Sequence, residues 1–277
     1  MDLNTVTALH RPTGRAELNG RLGGEPGRPD PDLGIAPLAG GTWLFSQPQP
    51  MLHTLVDLTA LGWPPLIVAE DGLEIAATCT LHELAGFTAP EHWPALALVR
   101  PCCAALAGSF KIWNTATVGG NICLALPAGP MTSLAVALDA VALVWTPDGG
   151  QRRLTVAELV VGERRTGLLA GEVLRSVHLP ATTLTSRTAF RRAALTAQGR
   201  SGSVVIGRRD AQGQFVLTVT AAVDRPYRFA FPFVPESVEL AAALDRVPRW
   251  YDDPHGAPDW RRAVTLLLAE EIRAELA

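Results

Sequence analysis

The sequence predicts an α+β protein, and three observations carry that reading. Short apolar runs flank turn signals at Asp71-Gly72 and across residues 210–214, as β-hairpins require. Thr80 with Glu83, and Thr155 with Glu158, have the spacing of helix capping boxes. Strands and helices are mixed, without an internal repeat or the regular alternation of a doubly wound sheet.

In chain order, the Leu3–Val6 stretch predicts a short strand or helix. The run "NGRLGGEPGRPDPDLG" then offers little to bury and reads as a flexible excursion. Ile35 to Leu38 predicts a strand ending on two glycines, and Thr54 to Leu58 a second one. "LIVA" and "LEIAATC" form a hairpin, followed by a helix capped at Thr80. A further helix is expected over Trp93 to Leu106, with Pro101 limiting its first half. Thr132 or Ser133 is placed to cap "LAVALDA"; "VALVW" is a strand with Pro147 to Gly150 as its turn. The alternating "EVLRSVHLP" ends at Pro180, where a boundary is expected. Beyond it, "GSVVIGRR" and "FVLTVTAAV" make a hairpin. Asp259 can cap a last helix whose apolar face would be Trp260, Val264, Leu267, Leu268 and Ile272.

The composition excludes several classes. With 277 residues, 48% of them hydrophobic and 18% charged, the chain can build a sizeable core. Its net charge is −3 and Lys111 is its sole lysine, which argues against an extended surface for nucleic acid. Cys79, Cys102, Cys103 and Cys123 lack the spacing of metal or cluster sites and are expected to be reduced and buried. No signal peptide or membrane-spanning run is visible, so the cytoplasm is the expected compartment. His53 and Asp57 read as solvated surface, and His178 on its alternating strand as a surface or interface residue; no catalytic residue is assigned.

Two stretches share an unusual chemistry: "LAGGTW" at 38–43 and "TVGGNI" at 117–122. Glycine permits positive φ and close approach to the backbone, and successive N–H groups can converge on an anion. Thr42 and Asn121 add short polar side chains. Two such loops face to face could hold the two phosphates of a dinucleotide, although neither has the G-x-G-x-x-G spacing or a Walker lysine.

With those loops in hand, the chain resembles the FAD-binding medium subunit, or domain, of molybdenum hydroxylases of the xanthine dehydrogenase and carbon monoxide dehydrogenase type. Arg11-Pro12, "LAGGT", "LVDLT", "LEIAATCTLHELA", "WNTATVGGNI", "ALDAVALV", "RRTGLLAGEVLRSVHLP" and "TAFRRA" occur in that family's order, over nearly the whole chain. The resemblance implies a two-subdomain FAD-binding fold of the vanillyl-alcohol-oxidase/PCMH type, residues 1–58 and 59–180, followed by a small α+β C-terminal flavoprotein domain of antiparallel sheet and helices, residues 181–277. It implies non-covalent FAD held by Leu38, Ala39, Gly40, Gly41, Thr42 and Trp43 of the first loop and by Ala116, Thr117, Gly119, Gly120 and Asn121 of the second, through backbone N–H groups and short polar side chains.

The same resemblance sets Leu174 against the flavin and Arg191 where some members place a lysine near the isoalloxazine. It further implies a molybdopterin-binding catalytic subunit and an iron–sulfur subunit as partners, with the molybdenum cofactor and [2Fe-2S] clusters confined to them. Electrons would pass from those clusters through FAD to an external acceptor. Two positions depart from the family: Trp43 stands where an acidic residue is common, and Pro130 where an aspartate often bonds the ribityl hydroxyls. They motivate the alternative of a non-catalytic assembly subunit that has lost FAD.

Overall fold

The computed structural model describes residues 3–22 and 34–277. Leu3 to Val6 is a turn closed by the Val6 N–H on the Leu3 carbonyl, and the first strand, β1, lies later, at Ala8–His10. Its place is fixed by pairing with Thr54 to Val56. Helix α1 (Arg15–Leu22) follows where a flexible excursion was expected, because Leu18 and Leu22, one turn apart, are both buried. Residues 23–33 of that excursion lie outside the described part. Strands β2 (Ile35–Leu38) and β3 (Thr54–Asp57) complete a parallel sheet of order β1-β3-β2. At its end Asp57 caps a 3₁₀ turn, accepting from the Thr59 N–H at 2.9 Å, and receives the Arg11 guanidinium at 3.2 Å.

The next segment opens with the expected hairpin, β4 (Leu66–Ala69) and β5 (Gly72–Ala76). Helix α2 (Leu81–Gly86) starts on a complete capping box between Thr80 and Glu83. A 3₁₀ turn at Pro94–Leu98 leads into α3 (Val99–Ala104), in which Pro101 occupies the first turn, where no intrahelical N–H is needed. Short helices α4 (Phe110–Trp113) and α5 (Val118–Leu124) precede α6 (Pro130–Ala137). Neither Thr132 nor Ser133 caps α6: Gly129 is the N-cap and Pro130 the first helical residue, a place its fixed φ suits. The Met131 N–H is satisfied from elsewhere, by the Asn121 Oδ1 at 2.9 Å.

Strands β6 (Val141–Trp145) and β7 (Gln151–Thr155) form a second hairpin, and α7 (Val156–Leu159) starts on the Thr155–Glu158 box. A small ladder of β8 (Val160–Gly162) and β9 (Arg165–Thr166) is followed by β10 (Val173–Pro180). The five-stranded antiparallel sheet has the order β4-β5-β10-β6-β7, so β10 is its centre and is buried along most of its length. A bulge between Leu174 and Ser176 breaks the β10–β6 register. Such an extra residue re-aims the side chains beside it, and Leu174 here faces a cavity described below.

The last segment contains α8 (Ala181–Leu184) and an antiparallel meander of β11 (Arg187–Ala193), β12 (Ser203–Arg209), β13 (Phe215–Thr220) and β14 (Tyr227–Phe231). Helices α9 (Ser237–Leu244) and α10 (Pro258–Leu276) cover one face, burying Val205, Phe215, Leu217 and Val219 against Leu244, Leu268 and Ile272. Ala257 rather than Asp259 is the N-cap of α10, with Pro258 at the first position. The buried stripe of α10 is also rotated from the expected one: it runs through Arg261, Thr265, Leu268, Ala269, Ile272 and Leu276, while Leu267 is 59% exposed. The cause is Arg261, a charged residue that hydropathy patterning sends outward and the fold turns inward. The other face of the meander meets α6 through apolar Val204 and Ile206 and through Ser133 to Thr220 at 2.6 Å, and the Ala221 N–H donates to the Pro127 carbonyl before α6 at 2.7 Å.

Candidate functional site

The first glycine loop leaves β2 at Leu38 and turns through residues 39–46. Gly41 has φ +67°, a left-handed conformation that glycine adopts without strain. Gly40 is required for another reason: a Cβ there would overlap the Thr115 carbonyl. The loop closes on itself only beyond Trp43, through the Phe45 N–H to the Gly41 carbonyl at 2.9 Å and the Ser46 N–H to the Trp43 carbonyl at 2.9 Å. Among the described residues the N–H groups of Gly40, Gly41, Thr42 and Trp43 have no protein acceptor.

The second loop is built differently. Thr117 is the N-cap of α5, and its hydroxyl accepts from the Gly120 N–H at 3.1 Å. Helix α5 begins so close to the segment after β5 that a Cβ on Gly119 would press into Ala77. The N–H groups of Val118 and Gly119 donate to the Cys79 and Ala77 carbonyls at 2.8 and 2.9 Å, and that of Asn121 to the Thr117 carbonyl at 3.0 Å. Val118 and Gly119 thus spend their N–H groups on docking α5, and Gly120 and Asn121 spend theirs on Thr117 at the helix start, so the backbone donors of this loop are largely used within the protein. Asn121 also commits its side-chain oxygen to Met131, which leaves its NH2 as the group available to a ligand.

The two loops line one cavity of 580 Å³, within the range of about 300–1,000 Å³ usual for small-molecule and cofactor sites. Every sequence-predicted site residue from Leu38 to Trp43, together with Ala116, Thr117, Gly119, Gly120, Asn121 and Leu174, lines it. The remaining wall is mostly apolar, with Leu58, Leu106, Ile112 and Leu168 among its residues. Trp43 is on the wall and carries the Arg164 guanidinium 5.6 Å from its ring centroid, a cation–π contact. Pro130 is not on the wall, but Gly129 is.

Arg191 is not brought to the cavity. Its guanidinium pairs with Glu271 at 2.8 Å and Glu275 at 2.7 Å on α10, and those hydrogen bonds hold its pKa above the ordinary arginine value. Two charged residues that the sequence did not single out do line the cavity, Glu172 and Arg200. Burial raises the Glu172 pKa, but the Arg152 fork at 2.6 and 2.7 Å and the Leu169 N–H at 2.8 Å outweigh it, so the carboxyl is held below its ordinary range and stays ionised. The cysteines are free and, through burial, Cys79, Cys103 and Cys123 are pushed up to about 12. Among the described residues no group of three or more His, Cys, Asp or Glu side chains could hold a metal, and no helix is long and apolar enough to cross a membrane.

A cavity with a mostly apolar wall and amide donors without protein acceptors among the described residues suits a ligand that joins an aromatic part to an anionic one. Residues 31–182, more than half of the chain, match the family model of the FAD-binding domain in molybdopterin dehydrogenase. The chain belongs to this family. As a member of the FAD-binding domain family it is an FAD-binding component of an oxidoreductase. Solved structures share its fold: quinoline 2-oxidoreductase from Pseudomonas putida 86 aligns with a TM-score of 0.80 and 20% identity over 100% of this chain and 98% of that one. Carbon monoxide dehydrogenase from Hydrogenophaga pseudoflava, in a form lacking the Mo-pyranopterin moiety, gives 0.79 and 18% over 96% of both chains. Reconstituted CO dehydrogenase from Oligotropha carboxidovorans gives 0.77 and 20% over 96% and 97%. No curated protein sequence matches. The α+β class and the FAD-binding fold expected from the sequence are thus observed.

Proposed function

We propose that this chain is the electron-transfer subunit of a molybdenum hydroxylase complex, taking electrons from iron–sulfur clusters of a partner subunit and delivering them through FAD to an external acceptor. The observation that carries the reading is that two loops nearly eighty residues apart line one cavity, with consecutive N–H groups that have no protein acceptor among the described residues. The division into residues 1–58, 59–180 and 181–277 accompanies it, supported by the three separate main sheets.

When bound, FAD supplies the two-electron redox chemistry that the side chains lack. The residues of the chain position it. The N–H groups of Gly40, Gly41, Thr42 and Trp43 would hold the diphosphate by backbone hydrogen bonds, which need no lysine. Asn121 would add its NH2, while Ala116, Thr117, Gly119 and Gly120 form the facing wall. Leu174, with Leu168, Leu106 and Ile112, would enclose the isoalloxazine and keep water from it. In place of the family's ribityl carboxylate, Pro130 opens α6 and leaves that helix start to the Asn121 cap.

The purified chain should take up FAD in stoichiometric amount and show oxidised-flavin absorbance after gel filtration. A folded chain that stays colourless after reconstitution with FAD would replace this reading by that of an assembly subunit without FAD. Isolation of the native complex with metal analysis tests the partners: molybdenum and iron should accompany the chain.

A further inference from the structure

Of the two charged side chains that line the cavity among the described residues, Glu172 is fully engaged by Arg152 and the Leu169 N–H. Arg200 is the other, and among the described residues it has neither a carboxylate partner nor a hydrogen-bond acceptor. It is also the single lining residue that follows β10 in the chain, so it is where the C-terminal segment reaches the cavity.

Its backbone is held on both sides. Arg192, on β11, donates to the Gly199 carbonyl and, at 2.7 Å, to the Ser201 hydroxyl. The next residue, Gly202, donates to the Ala193 carbonyl at 2.8 Å and accepts from Arg261 at 2.5 Å, and it has no room for a side chain beside Trp260. Two arginines are thus used to fix the loop that presents a third. A half-buried arginine on a pinned loop that lines a cavity, without a partner among the described residues, is placed to receive an anion, because the loop that carries it needs no further ordering when the anion arrives.

We propose that Arg200 is the positioning residue that pairs with negative charge on bound FAD, the part expected of Arg191 in the sequence. This rests on the FAD reading above. The shared chemistry is an anionic oxygen or nitrogen of the cofactor, and it has two sources: the diphosphate, or the isoalloxazine, which gains negative charge on reduction.

Arg200→Gln and Arg200→Lys should fold with wild-type thermal stability, since the loop is held by its neighbours. Wild type binding FAD decides the parent reading; the variants then decide this one. If the partner is the diphosphate, Arg200→Gln weakens FAD and ADP alike by about tenfold, reduces the salt dependence of both, and leaves the reduction potential unmoved. If it is the isoalloxazine, ADP affinity is unchanged and reduced flavin is bound about tenfold less tightly relative to oxidised, which lowers the two-electron potential by about 30 mV. In either case Arg200→Lys restores part of the effect and Arg191→Gln reproduces none of it. FAD affinity, ADP affinity and potential all within twofold-equivalent limits of wild type in Arg200→Gln would overturn the proposal while leaving FAD binding intact.

Discussion

The two glycine loops look alike as strings and work by different physics. In Ala39 to Trp43 the glycines release the backbone: Gly41 takes a positive φ, Gly40 lets the Thr115 carbonyl in, and four consecutive N–H groups are left without acceptors among the described residues. In Ala116 to Asn121 the glycines do the reverse. Gly119 lets α5 dock against Ala77; the N–H groups of Val118 and Gly119 hold that dock, and those of Gly120 and Asn121 are used on Thr117 at the start of the same helix. One loop keeps a run of backbone N–H groups in hand, and the other keeps its shape and the Asn121 NH2. A Gly-Gly pair therefore reports that something comes close, and the surroundings decide whether it is a cofactor or the protein itself.

Four substitutions separate these roles, in descending order of effect. Gly40→Val sets a branched side chain against backbone on the opposite loop, where neither partner can yield, so it should cost roughly 3 kcal/mol in urea unfolding and abolish FAD uptake. Gly119→Ala meets the Ala77 carbonyl at 2.7 Å and pushes α5 off its acceptors. A loss of about 2 kcal/mol is expected, with FAD binding weakened only as far as the wall moves. Gly41→Ala must hold φ near +67°, which costs about 1–2 kcal/mol, and it turns the free N–H groups away. FAD affinity should fall here by more than stability does, by about tenfold or greater. Gly120→Ala is exposed and gains about 1 kcal/mol in helix propensity, offset by crowding of the Thr117 cap at 2.8 Å. Its unfolding midpoint should stay within about 0.5 kcal/mol of wild type. Equal FAD losses in Gly41→Ala and Gly120→Ala, measured by fluorescence titration, would erase the distinction between donor loop and wall.

What could be read from the sequence was what depends on near neighbours. Both capping boxes and the hairpins at Asp71-Gly72 and residues 210–214 involve residues within a few positions of each other, and all are present. The cap of α6 was misplaced because the group that satisfies Met131 comes from Asn121, ten residues away, and Pro130 had already set the helix start. Arg191 is held away from the cavity by carboxylate partners 80 and 84 residues downstream, which no local pattern announces. Arg200 gave no local signal, since its loop is fixed by Arg192 and by a helix sixty residues on. The spending of the second loop's N–H groups likewise depends on carbonyls at Ala77 and Cys79, across a strand end that no spacing rule reaches.

Arg261, inverted into the core of the last segment, gathers the carbonyls of Gly202, Ala221 and Gly256 and the carboxylate of Asp253. Gly202 stands just before β12 and Ala221 just after β13, so one guanidinium measures the alignment of the two strands at their shared end. A slip of a single residue between them would carry a carbonyl out of reach and strand a buried cation, an error that costs several kcal/mol. The side chain thus works as a proofreader of sheet register: misaligned folds are rejected by an unsolvated charge, where an apolar contact would merely have packed less well.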